Sequence, residues 1–177
     1  MTSAAIRPAG PADAEAVLGL FDEAVAWMNA QGNTEQWGTV PWSELPKRRE
    51  TVEGWCASPG AWIAETPAGR AGGFLAVGAP PAYAPPPPQP GPELYVGALV
   101  GSRAADARGY GRALLRHADA LAVAAGIREL RVDCFAGRDG SLVRFYESAG
   151  YDRDATFHVG DWPGQVLTRT LGRPAQG

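Results

Sequence analysis

The chain has 177 residues, 45% of them apolar and 20% charged, which is enough to bury the core of one globular domain. Its 23 glycines and 16 prolines stay below the roughly 25–30% of a chain that indicates disorder, and the prolines are clustered, so collagen-like and fully disordered chains are excluded. A net charge of −3 gives no basic surface for general nucleic-acid binding. Two cysteines and two histidines, scattered along the chain, predict no zinc site and no other metal.

The first half of the chain predicts a strand, two helices and a hairpin. In chain order these are a strand over 4–7, a helix from about Pro11 to Gly32, a helix over 44–57 and strands over 61–65 and 72–77. Ser43 is expected to cap the second helix. The first helix has an apolar face because its apolar residues recur at intervals of three and four: Val17, Leu20, Phe21, Ala24, Val25 and Met28.

A proline-rich segment over 78–92 divides the two halves and is either an interdomain linker or a loop. Neither side has a complete core of its own, so the sequence predicts a single domain over 1–177 with this segment as a stiff internal loop. Residues 1–7 contain no signal-peptide core, and no apolar run approaches the roughly 18 residues that cross a membrane. We therefore expect a cytoplasmic chain with no membrane partner.

The second half predicts strands alternating with helices, and then a hairpin. In chain order these are a strand over 93–100, a helix over 109–125, a strand over 129–135, a helix ending at Ala149 and strands over 156–160 and 165–171 joined by a turn over 161–164. Gly126 and Gly150 are expected to stop the helices, and Asp139 or Ser141 to cap the second one. The order β-α-α-β-β-β-α-β-α-β-β predicts a mixed sheet with helices on its faces.

The strongest chemical signal is the segment Arg108-Gly109-Tyr110-Gly111-Arg112-Ala113, between a strand and a helix. Its glycines permit a tight turn, so that N–H groups of the helix start and the helix dipole favour an anion such as a pyrophosphate. Arg108 and Arg112 add positive charge at the rim. A lone Gly-x-Gly more often only permits a turn, and the segment matches neither the P-loop nor the dinucleotide-binding fingerprint.

Arg108, Gly111 and Ala113 resemble the Gln/Arg-x-x-Gly-x-Gly/Ala turn of the GNAT-type N-acetyltransferase superfamily. The strand over 94–100 is similar to the central strand of that family, and the segment 139–151 resembles its Asn-x-x-Ala-x-x-Phe-Tyr-x-x-x-Gly-Phe segment. The resemblance covers motifs over about 93–151 and the topology of the whole chain. It implies a mixed, mostly antiparallel sheet of six to seven strands flanked by four helices, with central strands splayed to hold an acyl-CoA.

The resemblance also implies acetyl-CoA as the acyl donor, with no metal. The residues that would contact it are Leu99, Val100, Arg103, Arg108, Gly109, Tyr110, Gly111, Arg112, Ala113, Asp139 and Tyr146. Asp139 departs from the family pattern, because an Asn with an amide donor is usual at that position. The loop between Val100 and Arg108 is longer than the commonest family version, and Arg103 within it either reaches a phosphate or is solvated.

By the same resemblance Tyr146 is the acid that protonates the leaving thiolate, the alternative being an aromatic ring packed under the sheet. Glu93, at the start of the central strand, is the candidate general base. Asp133 and Glu35 are rivals for that role. Asp133 has the alternative of pairing with Arg131, and ordered water can replace a dedicated base. Cys134 is expected to pack in the core and not to act as a nucleophile.

The family recognises its acceptor with the segment between the first two helices and with the final hairpin. Here these carry Glu35, Trp37 and Trp42 and, opposite, His158, Asp161 and Trp162. Aromatic rings and a carboxylate can form a box for an amine cation, although the tryptophans can equally cap the core. The resemblance thus implies acetyl transfer to the primary amine of a small molecule by direct attack in a ternary complex, in a monomer or homodimer.

Two alternatives belong to other functional classes. One is a non-catalytic acyl-CoA-binding sensor or interaction module, against which the retained Tyr146 and the intact turn argue. The other is an interaction domain whose Pro85–Pro88 segment, preformed in an extended geometry, is read by a polyproline-binding partner. This second role is compatible with catalysis.

Overall fold

The structure is a computed structural model that describes residues 4–172. Its elements follow the predicted order. Their bounds are β1 Ala5–Pro8, α1 Ala14–Ala30, α2 Pro46–Ala57, β2 Ala61–Glu65, β3 Ala71–Gly78, β4 Glu93–Gly101, α3 Tyr110–Ala124, β5 Glu129–Phe135, α4 Ser141–Ser148, β6 Asp152–Val159 and β7 Trp162–Thr170. Short 3-10 turns lie over Pro11–Asp13, Trp42–Glu44 and Ala105–Ala107.

The strands form a seven-stranded sheet in the order β1-β2-β3-β4-β5-β7-β6. β1 pairs with β2, β2 with β3, β5 with β7 and β6 with β7 in antiparallel fashion, whereas β4 and β5 are parallel. The predicted fold class, a mostly antiparallel mixed sheet of six to seven strands with four helices, is confirmed. The parallel register joins Glu93–Val96 to Glu129–Val132, and β5 continues beyond it to Phe135.

The described residues form two compact units, 4–77 with 98–115 and 78–97 with 116–172. β4 and α3 contribute residues to both units. The single domain over 1–177, with 78–92 as an internal loop, stays a prediction.

In the first unit, α1 buries the apolar face that its periodicity predicts. All six of its predicted core residues are at most 3% exposed. They join a hydrophobic cluster with Val52 and Cys56 of α2 and with Ile63 and Phe74 of the strands. Since each fully buried aliphatic or aromatic side chain contributes about 1.5–3 kcal/mol relative to an exposed one, this face accounts for the attachment of α1.

The second helix begins two residues later than predicted, and Ser43 does not cap it. Residues Trp42–Glu44 form a 3-10 turn, and the N–H of Ser43 donates to the carboxylate of Asp22 at 3.0 Å. Pro46 is the first helical residue, and Leu45 before it is extended, with φ −103° and ψ 108°. A proline disfavours helical geometry at the preceding residue and is well tolerated at the first helical position, so it sets this boundary.

In the second unit, β5 separates apolar from polar side chains because successive residues point to opposite faces of a strand. Leu130, Val132 and Cys134 on one face are at most 5% exposed, as predicted. The register places Glu93 beside Glu129 and Tyr95 beside Arg131 on the opposite face. We call this second face the polar face; its residues are Glu93, Tyr95, Glu129, Arg131 and Asp133.

The final hairpin turns at a different place from the predicted one. Val159 pairs with Trp162, so the turn is the two residues between them, beginning with Gly160 at φ +58°. Pro163 and Gly164, predicted as turn residues, lie in β7. A side chain at Gly164 would place its Cβ 2.4 Å from the ring of Phe157. This glycine therefore makes room for an aromatic ring on the neighbouring strand instead of bending the chain.

β6 is the outermost strand on its side of the sheet. Asp152 and Arg153 pair with β7, and the register then shifts before Thr156 pairs with Gln165. Asp152, Arg153, Thr156 and His158 are exposed. β6 thus combines a bulge with polar, solvent-facing side chains.

Candidate functional site

The predicted phosphate-binding turn lies at the start of α3 in the first unit. Gly109 has φ +88°, a conformation that favours glycine, and its carbonyl accepts the N–H of Ala113 at 3.1 Å. The first N–H groups of a helix lie beyond the reach of its own carbonyls in general, so a helix start of this kind can serve an anion. Arg108 and Arg112 are exposed on either side. The turn therefore has the local geometry of an anion-binding helix start.

Tyr110, predicted as a cofactor contact, directs its side chain into the core of this unit. It is 7% exposed, and a side chain at Gly72 of β3 would place its Cβ 2.6 Å from the Tyr110 ring. A Cβ at Gly73 would similarly lie 2.9 Å from Leu114. α3 can approach β3 closely because both glycines lack side chains. The ring of Tyr110 is thus a packing group, and only its backbone N–H belongs to the turn.

The end of β4 precedes this turn. Val100 is buried and Leu99 is half-buried, and just beyond them the N–H of Ser102 donates to the carbonyl of Gly72 at 2.8 Å. The hydrogen bond ties the end of the central strand to β3. The predicted backbone contact of Leu99 and Val100 with the pantetheine arm stays a prediction.

Arg103, in the long loop after β4, contacts α1. Its guanidinium lies 4.0 Å from the centre of the Trp27 ring, and its backbone N–H donates to Glu23 at 2.6 Å. The hydroxyl of Ser102 binds the same carboxylate at 3.0 Å. Burial lowers the pKa of Arg103. The exposed Arg103 thus helps to fasten the long loop to α1, and its contact with a phosphate stays a prediction.

Tyr146, the candidate acid, lies on α4 in the second unit. It is 5% exposed, and its ring meets those of Phe145 and Tyr151 edge-on, with centroids 5.2 and 5.8 Å apart. Burial, with smaller contributions from Cys134, Tyr151 and Asp133, raises the pKa of its hydroxyl. The phenol is therefore protonated at neutral pH, which is the form that a general acid needs.

The N-cap of α4 is Gly140, so the predicted cap by Asp139 or Ser141 is wrong, although Asp139 contacts the first helical residue. The Oδ1 of Asp139 accepts the N–H of Ser141 at 3.0 Å, and this bond holds the pKa of its carboxyl below the ordinary value. Arg144 lies 3.8 Å from the same carboxylate, and both side chains are exposed. Asp139 thus stabilises the start of α4, while its contact with an acyl-CoA stays a prediction.

Glu93, the candidate base, is engaged in a buried ion pair. Its carboxylate lies 3.2 Å from the guanidinium of Arg131, and the two side chains are 11% and 2% exposed. The same guanidinium donates to the carbonyl of Pro85 at 2.7 Å and lies 3.9 Å from Asp154. Glu93 is therefore the counter-ion of a buried cation, and the prediction that it acts as the base does not enter the function proposed below.

Asp133, the rival base, is bound by two tyrosine hydroxyls and not by Arg131. Its Oδ2 accepts the hydroxyl of Tyr95 at 2.6 Å and that of Tyr83 at 3.3 Å. Burial is the largest influence on its carboxyl and raises the pKa, while the two hydroxyls act in the opposite direction. The sequence reasoning missed both tyrosines. Strand alternation places Tyr95 on the polar face, but nothing in a proline-rich loop signals where Tyr83 lies.

Trp42 packs in the core of the first unit. It is 3% exposed and stacks on Phe21, with ring centroids 4.1 Å apart and an interplanar angle of 5°. The guanidinium of Arg48 lies 4.3 Å from its centroid. Trp37 packs against both Phe21 and Trp42, at 5.2 and 5.4 Å. This packing matches the alternative in which the tryptophans cap the core, and a substrate-binding role for Trp37 and Trp42 stays a prediction.

The other predicted acceptor residues lie elsewhere. Glu35 is exposed on the loop after α1 in the first unit. Trp162 is half-buried in the second unit, with its ring 5.7 Å from Phe135 and 6.1 Å from Phe157. His158 and Asp161 are exposed on the same hairpin. Acceptor roles for Glu35 and Trp162 stay predictions.

A cavity of about 610 Å³ opens beside the polar face, between residues 87–92 of the proline-rich loop and the ends of the second unit's strands. Side chains of both charges line it, among them Glu93, Arg131 and Arg153. The guanidinium of Arg153 lies 2.7 Å from Glu147, and that of Arg131 is held as described above. These guanidinium groups are thus already bonded within the chain.

Cys134 packs on the apolar face as predicted. Burial raises the pKa of its thiol to about 12, so the thiolate that a nucleophile requires is absent at neutral pH. Across residues 4–172, no three histidine, cysteine or acidic side chains are grouped to hold a metal ion. Within the same residues, no helix has the length and apolar character needed to cross a membrane.

The family model for the GNAT acetyltransferases matches residues 22–151, which is most of the chain. This chain belongs to the GNAT acetyltransferase family. The match contains the turn at the start of α3, Tyr146 and the polar face. A search of curated proteins finds no significant match.

Solved structures share the fold of this GNAT chain. A phosphinothricin acetyltransferase from Sinorhizobium meliloti, in complex with acetyl-CoA, is 19% identical, with 98% of this chain and 91% of that chain covered and a TM-score of 0.64. A GCN5-related N-acetyltransferase from Rhodopseudomonas palustris is 23% identical over 97% and 98% of the two chains, with a TM-score of 0.68. A GNAT-family acetyltransferase from Listeria monocytogenes is 16% identical over 97% and 99%, with a TM-score of 0.66.

Proposed function

We propose that this protein transfers the acetyl group of acetyl-CoA to a primary amine of a small molecule, by direct attack in a ternary complex. The turn at the start of α3 is the observation that carries the proposal. Gly109 opens the helix in a left-handed conformation, and the exposed Arg108 and Arg112 flank its first N–H groups. These donors and charges suit the pyrophosphate of an acyl-CoA. Membership of the GNAT family supports the same cofactor.

Tyr146 supplies the acid in this proposal. Acetyl transfer from a thioester produces a thiolate, which needs a proton from a group that is still protonated at neutral pH. The raised pKa of the buried phenol meets that condition. Asp139, at the start of the same helix, is proposed to accept a hydrogen bond from the cofactor chain, in the position where the family usually has Asn.

The proposal is tested by measuring thiol release from acetyl-CoA with benzylamine, ethanolamine, putrescine and histamine. We expect amine-dependent release by the wild-type protein and a matching acetylamine by mass spectrometry. Arg108→Ala should weaken acetyl-CoA binding by roughly 10- to 100-fold, since a hydrogen bond to a charged group contributes about 1.5–3 kcal/mol. Arg116→Ala, which removes an exposed arginine of α3 outside the turn, is the matched control.

Tight binding of acetyl-CoA without thiol release on any amine would favour the non-catalytic acyl-CoA sensor instead. Failure to bind acetyl-CoA at all would contradict both functions.

A further inference from the structure

The proline-rich loop lies over the polar face of the second unit, and two of its residues bond to that face. The carbonyl of Pro85 accepts a hydrogen bond from Arg131, and the hydroxyl of Tyr83 donates to Asp133. The ring of Tyr83 also stacks on Phe157 of β6, with centroids 5.8 Å apart. The loop thus covers the two central side chains of β5 on this face.

The carboxylates near this face have different kinds of partner. Glu93 and Asp154 both lie within ion-pairing distance of Arg131. Asp133 has only neutral donors, the hydroxyls of Tyr95 and Tyr83, among its bonds to residues 4–172. A half-buried carboxylate without a cationic partner attracts a cation, because little solvent surrounds it to balance its charge.

The two tyrosines hold Asp133 differently. Tyr95 is 1% exposed and binds at 2.6 Å, so it fixes the carboxylate from within the sheet. Tyr83 is 55% exposed and binds at 3.3 Å, so its bond is the weaker and the more accessible one. Both hydroxyls bind Oδ2. A cation arriving at Asp133 therefore meets a firmly positioned carboxylate with one easily displaced partner.

We propose that Asp133 is the carboxylate that binds the ammonium group of the acceptor and removes its proton, with Tyr95 as a positioning residue and Tyr83 as the cover that the acceptor displaces. This inference rests on the proposed function and names its substrate class, an amine that is cationic in solution. It also moves the base from Glu93 to Asp133.

The proton transfers balance. Asp133 takes one proton from the ammonium group and leaves a neutral amine, whose lone pair forms the C–N bond to the thioester carbonyl carbon while the C–S bond breaks. Tyr146 gives its phenolic proton to the departing sulfur and regains one from the nitrogen, which becomes the amide. Asp133 releases its proton to water, so that one proton is liberated per turnover.

The chain places Tyr146 within electrostatic range of this carboxylate. Asp133 is among the groups that raise the pKa of the Tyr146 hydroxyl, and Cys134 between them in sequence is another. Two tyrosines lie around Asp133, Tyr95 from β4 and Tyr83 from the loop. The other titratable or charged groups around it are Arg131 and Cys134 from β5 and Tyr146 from α4. Its pairing partner on β7 is the neutral Val166. Acid and base thus belong to the same compact unit.

The test compares Asp133→Asn with Glu129→Gln in the full chain. Glu129 is a carboxylate on the same face of the same strand, bonded to the hydroxyl of Thr170 at 2.6 Å, and is the matched control. With benzylamine at neutral pH, Asp133→Asn should lower kcat/KM at least 100-fold and abolish the acidic limb of its pH profile. Acetyl-CoA binding should be unchanged, and Glu129→Gln should stay within threefold of wild type.

Tyr83→Phe keeps the inference falsifiable if Asp133→Asn does not fold. The Tyr83 hydroxyl lowers the pKa of Asp133, so its removal should move the acidic limb to higher pH by up to about one unit. An unmoved limb in Tyr83→Phe, or near-wild-type turnover in folded Asp133→Asn, would overturn the role of Asp133 while leaving acetyl transfer intact. If wild-type protein releases no thiol with any amine, the proposed function fails and the inference fails with it.

Discussion

Arg131→Met tests how strongly the buried ion pair beneath the proline-rich loop stabilises the protein. The substitution keeps an unbranched side chain of similar length but removes the cation from Glu93 and the donor from the Pro85 carbonyl. Because the two partners are only 2% and 11% exposed, the carboxylate left behind is poorly solvated. Removing one partner of a buried pair costs about 3–5 kcal/mol, a large part of the roughly 5–15 kcal/mol that stabilises a typical domain.

The double variant Arg131→Met/Glu93→Met separates this charge effect from lost packing. With both charges removed, Glu93 no longer leaves an unpaired carboxylate, whereas the lost cation beside Asp154 and the lost donor to Pro85 are common to the single and the double variant. Urea unfolding followed by tryptophan fluorescence gives the free energy of unfolding for each variant. We expect the double variant to be more stable than Arg131→Met by at least about 2 kcal/mol.

Limited proteolysis provides an independent readout, because Arg131 also holds the loop. Cleavage within 78–92 should be faster in both variants than in wild type, since each lacks the bond to Pro85. The reasoning is refuted if Arg131→Met costs less than about 1 kcal/mol, or if the double variant is no more stable than the single one.

Two further substitutions probe the proposed acid and the packing under the turn. Tyr146→Phe removes the proton donor but not the ring, so kcat should fall roughly 100-fold or more while the Kd of acetyl-CoA stays the same. Turnover like that of the wild type would remove Tyr146 from the mechanism. Gly72→Ala puts a Cβ 2.6 Å from the Tyr110 ring and should lower the free energy of unfolding, measured in urea, by about 1–3 kcal/mol. The control is Gly69→Ser, at an exposed turn with φ +76° and open space around it, where the substitution should cost backbone strain alone.

Much of the fold follows from local pattern. Because a helix docked on a sheet must bury one stripe, the period of α1 identified six of the eight buried residues of this helix, although it left out Ala14 and Leu18. Gly126 and Gly150 were predicted to end helices, and both have positive φ, of +70° and +92°. Such signals are readable because neighbours in sequence create them.

Other features depend on partners distant in sequence. Pro163-Gly164 has the composition of a turn, yet Gly164 is needed beside Phe157 and the chain turns at Gly160. Likewise a pair of Asp133 with Arg131, two residues apart on one face, was one of the alternatives that the sequence offered, but each binds a partner elsewhere. Those partners, Tyr95 and Glu93, come from the adjacent strand, and their contacts cannot be read from the local sequence.

The outer strand β6 has a consequence for how copies of this chain behave at high concentration. An exposed strand edge offers unpaired N–H and C=O groups on which another strand can assemble. In β6 the register shift after Arg153 interrupts the regular spacing of those groups, and the charged Asp152 and Arg153 make a second strand costly to dock. β6 therefore protects the sheet from edge-to-edge aggregation, and removal of the bulge would expose a continuous template for it.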